Sequence, residues 1–148
     1  MARKYGDILN GIYNEVKDLG GWAEDNISTV AVYLGKELAE IYVTPACVIV
    51  PARATSIITG LRRKQHDAPF LLHVCVDDQN IQNGLLRVID RAEDVYDKLE
   101  RNTLGTVLGG SEYITVESYT PMLSPYQSLM RHWTTIQVRV RFTTETKN

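Results

Sequence analysis

His73, Cys75 and Asp77 alternate along one run, Phe70-Leu71-Leu72-His73-Val74-Cys75-Val76-Asp77. If the run is a strand, side chains at i, i+2 and i+4 point the same way, and three types of metal ligand share a surface. Neighbours on that face stand about 6.6–6.8 Å apart along the strand, so an ion bridges them only with some bending. Asp78 and His66 are close enough in sequence to join them. The plainer reading is the stronger one. A sheet covered on one face leaves the other half-exposed and mixed, and no second cysteine or histidine pair with metal spacing occurs. Asp77 and Asp78 also sit just ahead of a helical pattern. There carboxylates cap free N–H groups and favour the positive end of the helix dipole.

No other constellation reads as catalytic. There is no Gly-x-Ser-x-Gly and no Cys/His signature, and the histidines at 66, 73 and 132 are scattered. The glycines at 105, 109 and 110 lack the Gly-Lys-Ser/Thr of a phosphate loop and follow a helix instead of preceding one. The expectation is therefore a protein that is not an enzyme and holds no cofactor. Arg62-Arg63-Lys64 form a basic tip that suits a phosphate or an acidic protein surface, or simply a solvated loop. Arg139 and Arg141 alternate on the outer side of the last strand, which suits salt bridges to a neighbouring subunit as well as plain solubility or edge protection. Met122, Leu123, Tyr126, Leu129, Met130 and Trp133 follow two prolines without a clear helical stripe, and so apolar a connection is more often buried in a partner.

The elements that would position these residues follow from periodicity. Ile8, Leu9, Ile12, Tyr13, Val16 and Leu19 make the apolar stripe of a helix over 5–19, stopped by Gly20-Gly21. Residues 22–43 fit either a strand around Val30, Val32 and Leu34 or a helix; a split at Gly35, with a short helix over Lys36–Tyr42, is favoured. Pro45 and Pro51 bracket a buried strand at 46–50. Residues 53–58 extend it partly exposed, and 60–69 form a polar hairpin tip or loop. In the strand at 70–77, Phe70, Leu72, Val74 and Val76 face the core. A long helix starts near Asn80, with Ile81, Leu85, Val88, Ile89, Ala92, Tyr96 and Leu99 as its stripe. A strand at 111–119 places Tyr113, Thr115, Glu117 and Tyr119 on one side. A turn or exposed loop spans 120–125. A final strand turns Ile136, Val138, Val140 and Phe142 inward and Gln137, Arg139 and Arg141 outward. Residues 143–148 read as a frayed tail. Helices on one face of a mainly antiparallel sheet make a two-layer α+β sandwich.

A chain of 148 residues reads as one domain, large enough to bury roughly 68–70% of its unfolded surface without a disulfide or metal. A net charge of −2 argues against a general nucleic-acid binder. Cys47 and Cys75 are read as buried thiols of a reducing compartment, a bridge between them being the lesser alternative. Neither a signal peptide nor an apolar run long enough to span a membrane is read.

This order of elements resembles the tail terminator, or tail-completion, proteins of long-tailed bacteriophages and tail-like particles. The likeness is carried by a first helix, the Pro-led strand Pro45-Ala46-Cys47-Val48-Ile49-Val50-Pro51, and a basic loop. The strand ending in Asp77-Asp78, the helix Asn80–Arg101 and two strands with a Pro-containing crossover complete it, the last strand being Thr134–Phe142. It is a pattern and not a motif. The resemblance implies a ring-forming structural subunit, often a hexamer, at the head-proximal end of a virion tail and assembled in the host cytoplasm. Its partners would be copies of itself, the tail tube protein and the head or neck connector. No nucleic acid would be specifically bound, although DNA passes through such rings. Exposure arguments point to residues 61–67 and 119–133 for ring or tube contacts. A head-completion or neck ring protein is the neighbouring alternative. A small metal-binding enzyme on the His73 face and a dimeric ligand-binding module are the others.

Overall fold

The computed structural model describes residues 4–24, 30–36, 41–105, 107–108, 112–126 and 129–145. Its elements run α1 (Lys4–Leu19), β1 (Val32–Leu34), β2 (Ala46–Pro51), β3 (Thr55–Gly60), β4 (Arg63–Asp77), α2 (Ile81–Leu99), β5 (Ile114–Tyr126) and β6 (Leu129–Glu145). The fold is α+β, with both helices packed against a six-stranded, mostly antiparallel sheet. The strand order is β1-β2-β4-β6-β5, and β3 pairs with β4; β1 and β2 run parallel, and the other strand pairs among the described residues are antiparallel.

The core lies between the helices and one sheet face. Ile8, Ile12 and Val16 of α1 and Val88, Ala92, Val95 and Leu99 of α2 are fully buried on Phe70, Leu72, Val74, Val76, Ile136, Val138 and Val140. The expected inward faces of β4 and β6 are thus observed. Gly20 and Gly21 end α1 at φ of 76° and 79°, in the left-handed region open to glycine. Trp22 closes that end: its indole N–H donates to the Val16 carbonyl at 2.7 Å, and the Arg91 guanidinium lies over its ring at 4.1 Å. A second, smaller cluster, including Ala31, Ile41, Ala46, Val48 and Cys75, covers part of the opposite sheet face. Cys47 and Cys75 therefore lie on opposite faces, and both are free thiols.

Several boundaries differ from expectation. The polar stretch 63–69 is not a loop. It is the first half of β4, held between β3 and the end of β6, and the hairpin turn is only Leu61-Arg62. Pro69 is tolerated there because its ring nitrogen, on the same edge as the carbonyl that accepts from the Ala52 N–H, faces the gap where β2 has ended and β3 has not begun, so no ladder donor is lost. Residues 120–125 are likewise strand. Pro121 and Pro125 lie in β5, an edge strand whose outer side needs no donor. β5 starts at Ile114, and a register shift between Val116 and Ser118 brings Tyr119 opposite Ile136, off the register of Thr115 expected from simple alternation. Residues 143–145 are not frayed; they pair with Arg63–Gln65. Of the expected short helix Lys36–Tyr42, residues 37–40 lie outside the described residues, as do the glycines at 109 and 110 and tail residues 146–148.

The face of α2 is also rolled. Gly84, Val88, Ala92, Val95 and Leu99 are buried, whereas Ile81 and Leu85, expected in the stripe, are exposed. The cause is His132, fully buried on β6 beneath the first turns of the helix. A Cβ on Gly84 would stand 2.1 Å from its Nε2. The helix approaches the sheet through its small residues, which turns Ile81, Leu85 and Leu86 to the surface.

Candidate functional site: the exposed hairpin, the outer helix face and the arginine face

Each member of the His73/Cys75/Asp77 trio is engaged separately. The His73 Nδ1 and the Thr135 hydroxyl are hydrogen-bonded at 2.9 Å, and burial pushes the imidazole below its ordinary pKa. Cys75 is fully buried, its thiol pushed up to about 12 by the loss of solvent; burial raises Cys47 as well. Asp77 does not cap α2. It takes a bidentate pair from Arg131, Nε to Oδ1 at 2.7 Å and Nη2 to Oδ2 at 2.8 Å, and Arg131 also donates to the Ile41 carbonyl at 2.9 Å. Asn80 is the residue that caps α2, accepting from the Asn83 N–H at 3.0 Å. Asp78 accepts from the Asn80 N–H and from Arg87, which together hold its carboxyl below the usual range. His66 is seven positions from His73 along β4, about 23 Å. It bridges Ser56 and Thr144, each at 2.7 Å, and stacks on Phe142. Among the described residues no group of three metal-ligating side chains converges.

The arginine face is a polar depression of about 630 Å³ on the side of the sheet away from the helices, lined by Gln65, Glu112, Tyr113, Glu117, Arg139 and Arg141, among others. Arg139 is held within the chain by Asp67 at 2.7 Å and by Glu117. Arg141 reaches Asp67 only at 3.7 Å and keeps 68% of its side chain exposed. Of the apolar crossover, Met122, Leu123 and Tyr126 stand in register with Trp133, His132 and Leu129. The Met130 carbonyl accepts from the Asp78 N–H at 3.0 Å, and Trp133 packs against the small cluster around Cys75.

The hairpin β3–β4 bears three strongly exposed apolar residues, Ile57, Ile58 and Leu61. Every residue of β3 is exposed, with Ile58 at 77% and Leu61, in the turn, at 101%. Arg62, Arg63 and Lys64 follow, all exposed. Ile58 is in register with Lys64 and so shares its face. At the other end of β4, Ile81, Leu85 and Leu86 are exposed on α2, continuing into exposed Asp90, Glu93 and Asp97. Sequence reasoning picked out the basic tip but missed both apolar patches. The available signal was excess: α2 carries more apolar residues, at 81, 85, 86, 88 and 89, than one face can bury.

Compared with known proteins, the chain is similar in fold to a chain of the "Virion of native gene transfer agent (GTA) particle", with a TM-score of 0.52 and 15% sequence identity over 95% of this chain and 99% of that one. No protein-family model and no curated protein matches it. At such identity the likeness is one of fold, end to end.

Proposed function

We propose that the chain is a structural subunit of a phage-like virion: a tail terminator that assembles into a ring, caps the tail tube and joins it to the head or neck. The observation carrying the reading is the end-to-end fold likeness to a chain of a virion particle. The exposed apolar hairpin and helix patches support it, because a subunit of an assembly has surfaces of this kind to bury. In this role the partners are further copies of the chain in a hexameric ring, the tube protein on one side and the connector on the other. The site of action is the head-proximal end of the tail, after assembly in the host cytoplasm. No catalysis and no cofactor is assigned. The fold likeness suits a head-completion or neck ring equally, and what the ring binds separates the two.

The test is imaging of gold-labelled protein with purified tail tubes and with filled heads. A terminator decorates one end of each tube and halts further polymerisation of tube protein. Label on heads alone would move the assignment to the neck, and label on neither would overturn it.

A further inference from the structure

Two features stand at opposite ends of the molecule. β4 is 15 residues long, about 50 Å at the usual strand rise. The Leu61-Arg62 turn lies at one end and the start of α2, four positions beyond Asp77, at the other. The apolar hairpin tip and the apolar outer face of α2 therefore do not meet within one chain. They match in chemistry. The tip pairs Ile58 and Leu61 with Arg62 and Lys64. The helix pairs Leu86 with Asp90 and Glu93, which follow at i+4 and i+7 on the same exposed stripe.

We propose that the β3–β4 hairpin of one subunit seats on the outer face of α2 of a second copy, Ile58 and Leu61 against Leu85 and Leu86, with Arg62 and Lys64 facing Asp90 and Glu93. The inference rests on the assembly reading above and names the surfaces that carry it. The contact joins two different surfaces, so when each copy gives its hairpin to one neighbour and its helix to another, repetition closes a ring or extends a filament; a reciprocal exchange between two copies would instead stop at a two-fold dimer, and native mass separates the two. Tip-to-tip pairing is disfavoured because it sets Arg62 and Lys64 of both copies against each other. The apolar residues bury area, and the opposite charges fix register and exclude that alternative.

The experiment mixes two single variants, Leu61→Cys and Leu86→Cys, one carrying a mass tag, and treats them with a short bismaleimide. Both replaced side chains are surface-exposed, and native Cys47 and Cys75 are buried, so only the new thiols react in folded protein. Heterodimers alone support the proposal. Homodimers of Leu61→Cys would overturn it in favour of tip-to-tip pairing. No cross-link while wild-type protein still assembles would overturn these surfaces and leave the ring reading standing. A wild type that stays monomeric, with or without tubes, would remove both. A second measurement reads the charges: Arg62→Glu with Lys64→Glu should weaken self-association by about tenfold or more, and Asp90→Lys with Glu93→Lys in the same chain should restore it. Weakening without restoration would place the acidic partner elsewhere and overturn the proposed face of α2.

Discussion

Arg131 sits almost wholly inside the protein, 3% exposed, with Asp77 on one side and the Ile41 carbonyl on another. Truncating one partner leaves the other charge buried without its mate, a loss of about 3–5 kcal/mol. Arg131→Leu should therefore unfold at markedly lower urea, and an unchanged midpoint would show the pair to be solvated. Gly84 permits a sharper test. Gly84→Ala should destabilise by about 1–3 kcal/mol through overpacking on His132, and His132→Ala should relieve that cost in a double-mutant cycle. Additive effects would contradict the close approach. His73 has a native pKa below its ordinary value of 6.5. The unfolded chain then binds more protons in acid, so stability is full above that value, falls as pH drops below it, and levels off once the depressed native pKa is passed. A His73→Leu variant should lose this part of the pH dependence. Unchanged slopes would mean that His73 titrates alike in both states. None of these roles was legible beforehand: Asp77 read as a cap because it precedes a helix, and nothing local announced a partner 54 residues away.

At the scale of elements, the inward faces of β4 and β6 and the stripe of α1 were readable because burial on a single face imposes a period. The first half of β4 was not. Arg-Lys-Gln-His-Asp has no apolar alternation, and its extended form is held by the β3 and β6 ladders on its two sides. The prolines of β5 misled for the converse reason: they mark turns locally, yet an edge strand accepts them. The hairpin should be nearly silent in stability. Ile58→Ser should shift unfolding by no more than about 0.5 kcal/mol, while Phe70→Ala, deep in the core, should cost about 3–5 kcal/mol. A large loss from Ile58→Ser would show that the hairpin packs within its own chain.

At the scale of the whole molecule, the sequence carried the α+β architecture and the order of elements, since these follow from segment patterns. The surfaces proposed for docking were carried less well. The basic tip was visible as composition, but the apolar patches depend on the roll of α2, which Gly84 and His132 decide across the sheet. The arginine face also changed meaning: Arg139 is satisfied inside the chain by Asp67 and Glu117, which leaves Arg141 as its more accessible cation. The central claim is that this chain is built to assemble. Its most direct test is native mass by light scattering across a wide concentration range, with and without tail tubes. A rise from monomer to one closed ring mass, either on concentration or on adding tubes, is the predicted result. A single monomer mass at every concentration, indifferent to tubes, would contradict it.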